Sequence, residues 1–254
     1  MHHRLKQLRK LLRLVGNPVF RRGVRHGVGA SVEHAEVLRG LDLATVLDVG
    51  ANVGQFSLLA VAMFPRVRIE AFEPLSVPAG TFRRVFDGDA RVRIHQVAIG
   101  ARSQDEVTMN VSNRHDSSSL LRITDRQTHV FPGTQSAGTE SVRMVTLDSA
   151  IDLNLMQAPA LMKIDVQGFE LEVLKGARQV LRHCEYVYAE VSFEELYEGQ
   201  ALAPDVIAFL NGEGFGIGGV HNVEYDADGH AVQCDMLFRA GEIRSVEAHQ
   251  HVRT

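Results

Sequence analysis

Residues 48–57, Asp48-Val49-Gly50-Ala51-Asn52-Val53-Gly54-Gln55-Phe56-Ser57, carry the densest local signal in the chain. Gly50 and Gly54 place no Cβ in the way of a ligand approaching the backbone. A helix opening behind them offers free N–H groups and a positive dipole end. Glu73 stands nineteen residues after Gly54 and is followed by Pro74. A carboxylate at that interval, closing a second strand, can accept hydrogen bonds from both hydroxyls of a ribose. Asp165 and Glu190 close, or nearly close, two later apolar runs and are candidates for proton handling. His115 sits in a polar stretch, and its pKa range suits proton removal near neutrality. His95 lies inside an apolar run and reads as a packed, hydrogen-bonded side chain, while His221 is an outlying candidate base.

These residues need elements to position them, and the hydropathy pattern supplies an alternation of strands and helices. Strands are expected over Thr45–Val49, Val67–Phe72, Arg91–Ala98, Val107–Val111, Ser141–Val145, Ala160–Asp165, Tyr186–Val191, Phe215–Val220 and Gln233–Phe238. Helices are expected over Ser31–Leu41, with His34 and Leu38 on related faces, and over Val53–Phe64, Val77–Phe86, Phe169–Arg182 and from Pro204. Such alternation implies an α/β fold, a mostly parallel sheet with helices on both faces. The last two strands, joined through an Asp226–Gly229 turn, suggest an antiparallel C-terminal hairpin. Ser112 to Glu140 is rich in Ser, Thr, Asn, Asp and Gly and reads as a lid loop of about 112–140. Asp148 reads as a helix cap, and Glu194, Glu195 and Tyr197 as residues that could rim a pocket.

The 254 residues are 45% hydrophobic and 23% charged, the composition of an ordinary globular protein. A formal charge of -4 argues against nucleic acid as the partner. Cys184 and Cys234 form no metal-binding pattern and read as free thiols in a reducing cytoplasm. No apolar run is long enough for a transmembrane segment. Eight Lys/Arg fall between Arg4 and Arg25 with no acid before Glu33, and Leu5, Leu8, Leu11, Leu12 and Val15 follow helical spacing. Residues 1–30 therefore read as a basic helical segment. Residues 1–29 could make peripheral membrane contact, but packing on the chain's own domain or on a second copy, as in a homodimer, is the stronger reading. Residues 31–240 form the main domain and 241–254 a tail.

Taken in order, LDVGANVGQFS, EAFEP, QVAIG, Leu161-Met162-Lys163-Ile164-Asp165, Val166-Gln167-Gly168-Phe169-Glu170 and VLKGA resemble the FkbM-type methyltransferases, from about Thr45 to Phe238. The resemblance implies a class I, Rossmann-like fold that uses S-adenosylmethionine and mostly methylates hydroxyl groups, often on sugars. It further implies that Asp48, Gly50, Asn52 and Gly54 line the methionine part of the cofactor. Gln55, Phe56 and Ser57 begin the helix beside it, Glu73 holds the ribose with Pro74 fixing the turn after it, and Gln96, Val97 and Ala98 flank the adenine. The family usually carries Glu where this chain has Gln167, so a role that needs a carboxylate there is in doubt.

A sugar hydroxyl is a weak nucleophile, so methyl transfer to it needs alignment with the sulfonium carbon and removal of a proton. In the class I topology Asp165 and Glu190 end neighbouring strands, and two carboxylates in one pocket suit Mg²⁺. The acceptor is expected to be a sugar or glycoside, a mannoside or an oligosaccharide end among the options. Two alternatives stand beside this reading. One is an NAD-dependent oxidoreductase, disfavoured by the G-x-x-x-G spacing. The other is a non-catalytic adenosyl-cofactor-binding module acting through the basic arm.

Overall fold

The computed structural model describes residues 17–241. Leu5 to Val15 and most of the C-terminal tail lie outside the described residues. A seven-stranded sheet dominates, in the order β3-β2-β1-β7-β8-β10-β9. Its strands are β1 (Thr45–Val49), β2 (Arg68–Phe72), β3 (Val92–His95), β7 (Ala160–Ile164), β8 (Tyr186–Ser192), β9 (Phe215–Tyr225) and β10 (Ala231–Ala240). The first five pair in parallel; β10 runs antiparallel to both β8 and β9. Every residue of β1 and β7 is buried, as strands covered on both faces must be. A second sheet of three strands is formed by β4 (Ala98–Ile99), β6 (Ser136–Val145) and β5 (Gln104–Ser112).

The main helices are α1 (Pro18–Arg25), α2 (Gln55–Met63), α3 (Ser76–Val85), α4 (Asp125–Val130), α5 (Glu170–Lys175), α6 (Arg178–Leu181) and α7 (Ala203–Gly212). Asn17 caps α1 by accepting from Val19 N at 2.9 Å, with Pro18 at the first helical position. The helix packs on the domain. Phe20, Val28 and Ala30 join the core formed by α2 and β1, and Arg22 pairs with Asp89 at 3.1 Å. On the other face of the sheet, Leu47, Val49, Met162 and Ile164 pack with Val173, Leu174, Leu181 and Val206 of α5, α6 and α7.

Four expectations need correction. The run 91–98 is two strands in two sheets, β3 and β4, with a break at Gln96 and Val97. The helix expected over 169–182 is interrupted at Gly176 and Ala177. Asp148 does not cap the turn of helix that follows Thr146. Thr146 Oγ1 does, and Asp148 instead accepts from Gln179 N and Val180 N at the start of α6. The segment 112–140 is not a structureless lid. It contains the ends of the β5–β6 hairpin and α4, and Ser119 is fully buried, its Oγ donating to Gln167 O at 2.7 Å.

No helix among the described residues is long and apolar enough to cross a membrane. Both cysteines are buried.

Candidate active site

A cleft opens at the carboxyl ends of β1, β2 and β7, the place where open α/β sheets bind ligands. Its cofactor side is built on the turn after β1. Gly50, Asn52, Gln55, Phe56, Glu73, Pro74, Val97 and Ala98 all line it. Met109 of β5 and Phe169 complete an apolar wall near Val97.

The glycines act differently from the expectation. A Cβ on Gly50 would overlap the Asp165 carbonyl, and its φ of 81° is left-handed. A Cβ on Gly54 would come within 2.6 Å of Phe86. Both absences serve packing of the protein on itself, not ligand approach. Asp48 also departs from its expected place. It is fully buried under the turn, accepts from Ser57 Oγ at 2.6 Å, and lies 3.5 Å from Lys163 Nζ. Asp48 and Ser57 thus stabilise the turn from beneath, and neither they nor Gly54 lines the cleft. The Gln96 side chain points away and accepts from Arg83 at 2.9 Å.

Glu73 joins the end of β2 to this turn. Its two oxygens accept from Asn52 N at 2.9 Å and Leu75 N at 2.8 Å. Burial pushes its pKa up to about 7, against the lowering effect of those two N–H donors. A carboxylate has lone pairs beyond these two bonds, so ribose hydroxyls can still donate to it. Two buried atoms of cleft-lining residues, Asn52 Oδ1 and Ser31 Oγ, have no hydrogen-bond partner among the described residues. Asn52 Oδ1 is an acceptor in need of a donor. An adenosyl group carrying an ammonium fits this set.

The far side of the cleft is polar. Lys163 of β7 donates to Gly50 O at 3.1 Å and lies 3.4 Å from Asp165 Oδ2. Burial works against its charge, but Asp165, Asp48 and Asp235 outweigh that cost and its pKa is raised. Asp165 and Glu190 are brought together, as expected from their strands. What joins them is the Gln167 amide: Nε2 donates at 2.8 Å to Asp165 Oδ1 and at 2.8 Å to Glu190 Oε2. Gln167 Oε1 in turn accepts from Tyr197 Oη at 2.6 Å. Glu190 Oε1 accepts from Gln233 Nε2 at 2.9 Å. Burial, then the nearby charges of Asp165 and Asp235, push the Glu190 pKa well up.

This arrangement does not fit the Mg²⁺ site expected on Asp165 and Glu190. The space between the carboxylates holds an N–H donor, and an ammonium sits beside one of them. A cation there has to displace the first and repel the second. Among the described residues, the grouping of carboxylates and histidine close enough to share an ion is Asp226, Asp228 and His230, in the β9–β10 turn.

The other candidates sort plainly. His115 lines the cleft but is exposed, and no hydrogen bond among the described residues orients its ring. His95 bonds Glu70 at 2.6 Å and stacks on Phe72, away from the site. His221 lies within β9, which extends to Tyr225, and not in a turn. Glu194 pairs with Arg126, and Tyr197 is buried beneath Gln167; neither rims the cleft. The sequence reading missed Lys163, although it follows directly on the apolar Leu161-Met162 of a buried strand, where an unpaired charge would be too costly. It also assigned no role to Glu170, which accepts from Val166 N and Gly168 N and so fixes the turn bearing Gln167.

The parallel sheet with its antiparallel C-terminal hairpin, and a cofactor side built on the turn after β1 and the acid after β2, define a class I, S-adenosylmethionine-dependent methyltransferase. Residues 48–217 match the methyltransferase FkbM domain, and the chain belongs to that family. Among curated relatives, the 2-O-methyltransferase NoeI of Sinorhizobium fredii is 26% identical over 71% of this chain and 77% of its own. The 31-O-demethyl-FK506 methyltransferase FkbM of Streptomyces tacrolimicus is 26% identical, covering 86% of this chain and 85% of its own. The hexuronic acid methyltransferase AglP of Haloferax volcanii is 26% identical over 57% and 54%. A solved structure of a putative S-adenosylmethionine-dependent methyltransferase from Listeria monocytogenes covers 83% of this chain and 98% of its own, with 11% identity and a TM-score of 0.47. Family membership sets aside the oxidoreductase and the non-catalytic module.

Proposed function

We propose that the protein transfers a methyl group from S-adenosylmethionine to a hydroxyl of a sugar or glycoside. The observation that carries this reading is the polar end of the cleft. Asp165 and Lys163 lie one strand from the Gly50–Asn52 turn, where the cofactor's methyl end would be. Together with Gln167 they offer the acceptors and donors that a polyhydroxyl ligand needs. Relatives named for 2-O-methylation and for a hexuronic acid support the same acceptor class.

When bound, the cofactor supplies an already activated methyl group. The chain's residues then have three tasks. Glu73 and Asn52 hold the cofactor by ribose hydroxyls and ammonium. Asp165 orients the acceptor hydroxyl, and Lys163, 3.4 Å from Asp165 Oδ2, holds that carboxylate in place. Phe56 and Phe169 exclude water on either side. Two cysteines far apart in the sequence, in no metal-binding pattern, are in keeping with a reducing compartment, so the proposal places the activity in the cytoplasm.

The test is methyl transfer from isotopically labelled S-adenosylmethionine to a panel of p-nitrophenyl glycosides, hexuronides included, with the product mapped by NMR. A methyl ether on a ring hydroxyl is the expected product. A methylated amine or carboxylate, with no ether, would overturn the reading.

A further inference from the structure

A second histidine reaches the cleft from an unexpected place. His34 ends the single turn of 3-10 helix at Val32–His34, well before β1, and its side chain is 17% exposed. It lines the same cleft as Lys163 and Asp165. Its ring meets Phe56 edge-on at 5.6 Å, and the Lys163 ammonium lies 5.8 Å from the centre of that same phenyl ring.

The ring is held from behind by three residues on three strands. His34 Nδ1 is 3.0 Å from Tyr188 Oη, 3.1 Å from Asn222 Nδ2 and 3.5 Å from Asp235 Oδ2. Tyr188 Oη donates to Asp235 Oδ2 at 3.1 Å, and Asn222 Nδ2 donates to the same oxygen at 2.8 Å. Since the Tyr188 hydroxyl proton is committed to Asp235, the Tyr188 oxygen is free to accept from Nδ1–H. In the tautomer with Nδ1–H donating to the Tyr188 oxygen, Nε2 carries the lone pair, and the second N–H of Asn222, 3.3 Å from Tyr188 Oη, donates there and not to Nδ1. Nε2 has no hydrogen-bond partner among the described residues.

Other groups in the cleft are less suited to take a proton. Lys163 is charged. Asp165 is engaged by Gln167 and Lys163, and Glu190 by two amides. His115 is exposed and unoriented.

We propose that His34 is the general base of the reaction, oriented by Tyr188, Asn222 and Asp235. The proposal rests on the reading of the acceptor as a hydroxyl. In the step it describes, the acceptor oxygen forms a bond to the methyl carbon while the carbon–sulfur bond breaks. Its electron pair goes to sulfur, which becomes neutral. The hydroxyl proton passes to His34 Nε2, which becomes the imidazolium and later releases the proton to water. Asp235, through Tyr188, stabilises that imidazolium.

Burial lowers the His34 pKa and keeps the free ring neutral; Lys163 on β7 acts in the same sense. Asp235 on β10, Glu33 in its own turn and Asp165 after β7 act in the opposite sense, and Tyr188 on β8 faces it with a hydroxyl.

Two experiments test this. The first needs no acceptor: ¹⁵N-histidine NMR of the full chain, with His34 assigned by loss of its signal in His34→Gln. The expected result is an Nδ1–H tautomer and a midpoint below 6.5. An Nε2–H tautomer, or a ring protonated at neutral pH, overturns the proposal. The second compares wild type with His34→Ala and His34→Gln on the p-nitrophenyl glycoside that wild type methylates best. Turnover should fall by about 10²–10⁴-fold, while the calorimetric Kd for S-adenosylmethionine stays within about threefold. Added imidazole should partly restore His34→Ala. Turnover within threefold of wild type, or parallel loss of cofactor binding without imidazole rescue, overturns a role as base. If wild type yields a methyl ether and His34→Ala matches its rate, only the base assignment fails. If wild type yields a methylated amine or carboxylate, the acceptor reading fails and takes the base with it.

Discussion

The two halves of the cleft are built by different means. The half proposed for the cofactor comes from three short segments within residues 50–98: a turn after β1, an acid after β2, and two residues before and at β4. Much of its geometry is backbone. Phe72 O accepts from both Gly50 N and Ala51 N at 3.0 Å, and Glu73 ties the same turn through Asn52 N. The half proposed for the acceptor is made of side chains from distant segments. His34 meets Tyr188, Asn222 and Asp235 only because β8, β10 and β9 lie side by side, and Gln167, after β7, reaches Glu190 because β7 and β8 are neighbours. Backbone hydrogen bonds fix the turn at 50–52, whereas the side chains of the opposite half can change one at a time without disturbing it.

That contrast predicts separable damage, and the largest effect belongs to the acceptor half. Asp165→Asn should lower turnover at saturating cofactor by about 100-fold or more, because it removes the charge that pairs with Lys163 and faces the acceptor. Initial rates with labelled S-adenosylmethionine measure it, and near-wild-type turnover would remove Asp165 from the mechanism.

Damage to the cofactor half should appear first as lost stability. Gly50→Ala forces a left-handed φ on a residue with a Cβ and drives that Cβ into the Asp165 carbonyl. The expected cost is about 2–4 kcal/mol, read as a fall in the midpoint of denaturant unfolding.

Next in size is the cofactor's own carboxylate. Glu73→Gln should weaken S-adenosylmethionine binding by about 10–100-fold, the value of charge-assisted hydrogen bonds. A pH dependence accompanies it. Burial raises the Glu73 pKa to about 7, so the free protein takes up a proton there that the unfolded chain, near 4.5, does not hold. Its contribution to stability is fully present below about 4.5 and is lost as pH rises through 7. Ribose hydroxyls favour the charged form. Cofactor affinity should therefore fall as pH drops below about 7, and the gain in Tm on adding cofactor should be larger at pH 8 than at pH 6. Glu73→Gln should flatten both dependences; an unchanged pH profile in that variant would contradict the assignment.

The smallest effect should come from chelation. With the Gln167 amide between Asp165 and Glu190, EDTA should leave turnover within about twofold. Gln167→Glu gathers three carboxylates and should make turnover respond to added Mg²⁺. Loss of wild-type activity on chelation would show that the amide gives way to a metal.

The same division explains what could be read in the sequence. The strand–helix alternation, the C-terminal hairpin and the turn at 48–57 were legible because periodicity and short-range spacing encode them. Asp165 and Glu190 stand out in the sequence because one follows an apolar run and the other lies near the end of the next, as β7 and β8 place them. The His34 network was not legible: Asn222 and Asp235 become neighbours only through a β9–β10 register that includes bulges. The role of Gln167 was also hidden. The sequence flagged it as a departure from the family, but only the fold shows its amide bridging two carboxylates. Segment 112–140 misled because its polar composition matches a loop, while Asn110 and Ser119 in fact pair it to β5. Asp48 misled because a carboxylate beside a ligand turn and one buried beneath it look alike until Ser57 and Lys163 are placed around it.

The most direct test of this two-part cleft is a crossed measurement on Glu73→Gln and Asp165→Asn: the calorimetric Kd for S-adenosylmethionine and the turnover at saturating cofactor, for both variants. The account predicts that Glu73→Gln loses affinity yet keeps most of its saturated turnover, while Asp165→Asn keeps affinity within about threefold and loses turnover. If Asp165→Asn abolishes cofactor binding, or Glu73→Gln abolishes turnover at saturation, the two halves are not separate and the account is wrong.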